Sequence, residues 1–170
     1  MRLLLLGLVF TVAACATAPG AGPPTPPAIA FSDGVTTVTA VTTQSAGEHW
    51  RHRYSFTAPN RVGDVFLDTP KDSRTFDPDR VALTPDEAAT EFGKRFSAVP
   101  VTASKIEMVQ SLDGGLVFLY FADNANALHC AWMFHDIDPR RTWSASSCAR
   151  SGSAADFRTA TIAMASGVRF

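Results

Sequence analysis

Residues 116–134 read LVFLYFADNANALHCAWMF, and beyond the N-terminal leader no other stretch is apolar on both sides of an extended chain. In its first half, Leu116-Val117-Phe118-Leu119-Tyr120-Phe121, the polar alternation of a half-exposed strand is missing. A strand of that kind needs cover on both faces and belongs at the centre of a sheet.

The neighbours of this stretch follow from turn chemistry. Asp123-Asn124-Ala125-Asn126 turns the chain into a second strand over 128–134, and Asp136-Ile137-Asp138-Pro139-Arg140-Arg141 turns it again into a strand over 142–149. On the other side Asp113-Gly114 is a strong hairpin signal. Before it, 103–111 sets Ile106 and Met108 against Lys105, Glu107 and Val109 in strand alternation. Together these segments predict an antiparallel meander whose stable core runs from Lys105 to Ala149.

Two helices are expected as its cover. Thr84-Pro85-Asp86-Glu87 is a capping box with proline at the first helical position, predicting a helix over 85–97 with Ala88, Ala89, Phe92 and Phe96 on one side. Ser153 opens a second, over 154–165, with Phe157, Ala160, Thr161 and Met164 on one face and Gly167 as its stop. The predicted class is α+β: an antiparallel β-sheet meander with two helices packed against it.

Upstream, 35–43 (VTTVTAVTT) is rich in β-branched residues, and 48–57 (EHWRHRYSFT) alternates Trp50, His52, Tyr54 and Phe56 against His49, Arg51, Arg53 and Ser55. A hairpin through 44–47 that closes with Thr43 opposite Glu48 sets Val41 against Trp50 and Val35 against Phe56. His49, Arg51 and Arg53 then share the outer face, a candidate interaction surface for an anionic partner. Residues 58–83 carry three prolines and several Asp, Asn and Gly, with Val65-Phe66-Leu67 as the main apolar anchor. A short strand over 64–68 and then a long surface loop are expected there.

The N-terminus has its own logic. Met1-Arg2 precedes an apolar run over 3–10 that has the form of a secretory signal and is too short to span a bilayer. The run closes on Val12-Ala13-Ala14-Cys15, which resembles the lipobox of bacterial lipoproteins. That resemblance covers residues 1–15 only. It implies a signal peptide over 1–14, cleavage before Cys15, diacylglyceryl and acyl chains on Cys15, and attachment to a membrane. Ala16 in place of Asp resembles the pattern sent to the outer membrane in enterobacteria, which implies an outer-membrane protein facing the periplasm, with the inner membrane as alternative. Residues 15–30 follow as a tether: Pro19, Pro23, Pro24, Pro26 and Pro27, with Gly20 and Gly22, favour extended polyproline conformation over a core. At about 3.1 Å per residue such a spacer reaches on the order of 40 Å. A single folded domain over 31–170 completes the chain.

With Cys15 acylated, Cys130 and Cys148 remain as an even pair in an oxidising compartment. Each lies nine positions from Pro139, so a hairpin centred there sets them opposite one another, and a disulfide is expected rather than a nucleophilic thiol.

Charge and motifs narrow the function further. Lys and Arg number 15 against 16 Asp and Glu, which gives no cationic excess for nucleic acid. No metalloprotease, hydrolase, phosphate-loop or dinucleotide motif occurs, so no catalytic residue, metal ligand or cofactor is assigned. His49 and His52 fall on opposite faces of one strand, which argues against a ligand set. The expectation is a non-catalytic envelope lipoprotein that contacts another envelope protein through its sheet edge, long loop or arginine stripe. The alternative is a small periplasmic enzyme or ligand-binding protein with a site between loop 68–80 and turn 136–141, seeded by His135, Asp136 and Asp138.

Overall fold

The computed structural model describes residues 22–72, 90, 94, 102–123, 128–150 and 152–170. Their centre is a seven-stranded, wholly antiparallel sheet. Its strands are β2 (Thr37–Ala46), β3 (His49–Ala58), β4 (Arg61–Pro70), β5 (Thr102–Gln110), β6 (Leu116–Asp123), β7 (His129–Asp138) and β8 (Arg141–Ala149). Across the sheet they run β2-β3-β4-β8-β7-β6-β5. Two meanders, β2 to β4 and β5 to β8, are therefore joined by the pairing of β4 with β8, and β2 and β5 form the edges. A two-stranded ribbon of β1 (Ala30–Phe31) and β9 (Val168–Arg169) ties the two ends of the domain together.

Residues 116–123 and 129–134 sit where the expectation put them, inside the sheet as β6 and most of β7. Val117, Leu119 and Phe121 enter one core with Ala131, Met133, Trp143 and Ala145, while Tyr120, Ala122, Cys130 and Trp132 form a second cluster. The first core lies on what is here called the covered face. Helix α1 (Ala154–Ser166) packs there through Phe157, Met164 and Ala165, together with Val168 and the partly buried Ile29, Phe31 and Phe170. Ser153 caps α1, its Oγ accepting from the Asp156 amide, and the Gly167 amide donates to the Met164 carbonyl.

Several expectations are corrected. The first hairpin closes through Gly47 and Glu48 alone, with Ala46 opposite His49, so that Val41 faces Tyr54 and Val38 faces Phe56. Gly47 has φ 60°, which lets a two-residue turn match the twist of its strands. The inward alternation survives the shift: His52, Tyr54 and Phe56 are buried. In place of a short strand over 64–68, all ten residues of β4 pair with β3. Gly63, which reads as a breaker, is there because a Cβ would lie 2.6 Å from the Phe56 ring and 2.1 Å from the Ser146 carbonyl oxygen.

The core accordingly extends beyond 105–149, with Tyr54, Phe56, Val65 and Leu67 buried in it. The folded part also begins earlier than residue 31, because the Tyr54 hydroxyl donates to the Pro27 carbonyl at 2.8 Å. Of the helix expected over 85–97, Thr90 and Lys94 have helical backbone; the rest lies outside the described residues, as do the signal peptide, Cys15 and the turn 124–127. α1 is the one complete helix among the described residues.

Candidate functional site

Because side chains alternate along β3, His49, Arg51 and Arg53 share the face opposite the covered one, as expected. What the sequence did not reveal is their partners. Arg51 lies across from Asp68 and donates to it from Nε and Nη2, both at 2.7 Å. Arg53 makes the same two-pronged contact with Asp64, at 2.8 and 2.9 Å, and Ser55 donates to Asp64 at 2.7 Å. Both guanidiniums lie over the Phe66 ring, 5.7 and 6.0 Å from its centroid. Hydrogen bonding to Asp68 and Asp64 raises the pKa of Arg51 and Arg53. Two cations thus meet two carboxylates in fork geometry. The expected cationic stripe is a charge-balanced ladder around one aromatic ring, a poor magnet for a free anion.

Toward the other edge the same face becomes aromatic. Phe118 stacks on Phe134 at 5.4 Å, Tyr120 on Trp132 at 5.6 Å, and Trp132 on Phe134 at 6.1 Å. Cys130 and Cys148 are opposite in register and joined as a disulfide, with their Cα atoms 4.1 Å apart. Between the polar and aromatic halves runs β8, whose Ser144 and Ser146 lie opposite Phe66 and Asp64 on one side and Phe134 and Trp132 on the other.

The histidines are separated, each with its own partner. His52 hydrogen-bonds Thr43 Oγ1 at 2.9 Å, and burial lowers its pKa. His129 contacts Asp123 at 2.5 Å. His135, 2% exposed, hydrogen-bonds through Nδ1 with the Leu116 carbonyl at 2.9 Å and through Nε2 with Asp113 at 2.9 and 3.1 Å. Ser111 also donates to Asp113. Burial alone would push the Asp113 pKa up, but the bonds from Ser111, His135 and the Gly115 amide, with the charge of His135, bring it to about 2. Serine, aspartate and histidine meet here in the wrong order for nucleophilic catalysis, since the carboxylate, not the imidazole, receives the hydroxyl. The cluster clamps the β5–β6 turn to β7. Among the described residues no three His, Cys, Asp or Glu side chains gather as a metal site.

Among the described residues, the alternative location is brought together at its margin. Arg140 Nη2 donates to the Asp72 carbonyl at 3.0 Å, linking the start of loop 68–80 to turn 136–141. Within that turn Asp138 accepts from the Arg140 amide at 2.7 Å and from Arg141 Nε at 2.8 Å. His135 does not join Asp136 and Asp138, because it turns to the covered face beside Trp143. Residues 73–80 lie outside the described ones.

One polar cluster had no sequence signal. Asp33 accepts from the Val35 and Thr36 amides and the Thr36 hydroxyl, and Arg61 Nη2 donates to it at 3.0 Å from a buried position. Arg61 follows a Pro-Asn turn and shows no periodicity, so nothing in the sequence marks it as buried. The pair holds the 33–36 turn to the start of β4. No family model matches the chain, and no curated protein or solved structure is significantly similar to it.

Proposed function

We propose that the chain is a membrane-anchored envelope lipoprotein whose domain is a non-catalytic protein-interaction or accessory module of an envelope assembly. It faces the periplasm from the outer membrane, with the inner membrane as alternative. The observation that carries this reading is Val12-Ala13-Ala14-Cys15 closing a short apolar run. The commitment of the arginines and buried histidines to partners within the domain supports it. The helix over 85–97 belongs to the same reading as second cover of the sheet; of its residues, Thr90 and Lys94 are helical and exposed.

The free tether is shorter than the sequence implied. With Pro27 docked on Tyr54, about eleven residues separate Cys15 from the domain, a reach of roughly 34 Å in polyproline conformation. Cell fractionation of Cys15→Ser is the test: the variant should leave the membrane fraction for the soluble one, and a variant that still sediments with membranes after normal cleavage refutes the anchor.

A second reading, a ligand site between loop 68–80 and turn 136–141, is favoured by the Arg140–Asp72 contact alone. Arg140→Ala should then impair whatever ligand response the native protein shows.

A further inference from the structure

The two edges of the sheet are unlike. β5 carries Lys105 and Glu107, which form an ion pair at 3.0 Å; charges on an edge strand are a standard guard against another strand adding to it. β2, Thr37–Ala46, is ten residues long, reads TVTAVTTQSA without a charge or a proline, and is exposed over most of its length. Its one irregularity is a bulge between Val38 and Ala40, leaving Ala40–Ala46 regular. Val41, at the middle, is 44% exposed. On the side away from β3 its backbone donors and acceptors have no strand partner among the described residues.

We propose that this edge pairs antiparallel with β2 of a second copy of the chain, joining two sheets into one. The proposal rests in part on the anchored reading above. Charge permits self-pairing: β2 brings no charge of its own to its copy, the Lys71 ammonium meets the strand at its hairpin end, on Ser45 Oγ and the Gly47 carbonyl, and Arg51 and Arg53 are held by Asp68 and Asp64. Symmetry favours it as well. Two identical strands paired antiparallel are related by a two-fold axis perpendicular to the sheet, so both covered faces lie on one side. The tether docks on that face, Pro27 against Tyr54, so both lipid anchors leave toward the same membrane. Strand-edge pairing buries less than the roughly 1,200 Å² at the low end of stable interfaces. The pair is therefore weak in free solution and is driven by the effective concentration, on the order of mM, that tethering imposes.

The test uses the full lipidated chain in phosphatidylethanolamine–phosphatidylglycerol vesicles with Thr42→Cys as reporter and a short bismaleimide as cross-linker; Cys130 and Cys148, joined to each other, do not react. A cross-linked dimer is expected. Ala40→Lys with Val41→Lys in the same chain should cut its yield roughly tenfold through like charges across the seam. Val41→Thr should leave it unchanged, because the edge recognises by backbone. A dimer insensitive to the two lysines, or an equal yield from a Met108→Cys reporter on β5, overturns the proposal. Full-length Cys15→Ser in solution separates the two readings. Concentration-dependent, lysine-sensitive cross-linking there upholds the pairing even if the unsubstituted chain fails to enter vesicles, a result that counts against the anchor alone. No dimer in either setting overturns the pairing whatever the fate of the anchor.

Discussion

On the covered face Val65, Leu67, Leu119, Met133 and Ala145 meet with no hydrogen-bonding side chain among them, whereas on the opposite face the same four strands present Asp64, Phe66, Tyr120, Trp132 and Ser146. The first face is closed by the chain's own ends: the docked Pro27, β1, α1 and β9. The second holds together by forked ion pairs, which tolerate water, and by stacked rings, of which Tyr120 and Trp132 are buried. The difference separates a wholly apolar core from a mixed polar and aromatic one, whose Tyr120, Cys130 and Trp132 are also buried. Cohesion comes mainly from the apolar face, while the ladder of β3 and β4 satisfies its charges within itself.

The sharpest way to break this contrast is a pair of substitutions one residue apart. Leu119→Ala, fully buried on the covered face, should cost about 3 to 4 kcal/mol, and Phe118→Ala, half-buried on the other, about half as much. Urea titrations compare them, and equal losses would erase the distinction between the faces. The next largest effect lies on the second face. Reducing Cys130–Cys148, separated by 18 positions, should lower stability by about 3 kcal/mol, chiefly by freeing the unfolded chain, seen as a drop in melting temperature with reductant.

A smaller effect should follow pH. The folded Asp113 pKa, about 2, lies below its ordinary 3.8. Its contribution is therefore fully present above about pH 4 and is lost as pH falls toward about 2. Its side chain is 38% exposed, so solvent screening leaves on the order of 1 kcal/mol. Asp113→Asn should flatten the acid limb of the stability curve by that amount, and an unchanged acid limb would detach Asp113 from His135. Least of all, Arg53→Ala should cost about 0.5 kcal/mol or less, since its fork with Asp64 is half in solvent. A loss as large as that of Phe118→Ala would mean that the ladder, and not the rings, holds the second face.

Much of this was legible in the sequence. Unbroken apolarity over 116–121, the Asp113-Gly114 turn and the symmetry of Cys130 and Cys148 about Pro139 placed four strands and the disulfide. Alternation set the faces of β3 correctly even where the expected register was wrong. What failed depended on contacts distant in sequence. Gly63 reads as a breaker until Phe56 and Ser146 are seen against it. Arg51 and Arg53 read as free cations until β4 delivers Asp68 and Asp64. Arg61 and Asp33 find each other only because the start of β4 returns to the turn before β2. Pairing of β4 with β8 likewise has no local signal, since neither strand follows the other along the chain.

The most direct measurement of the anchored-module reading is the intact mass of the native protein extracted from membranes. The expected species begins at Cys15, carries the mass of a diacylglyceryl group with its acyl chains, and is two hydrogens lighter than the dithiol because Cys130 and Cys148 are joined. A mature chain that begins after Cys15 with no lipid mass, or that retains its leader uncut, contradicts it.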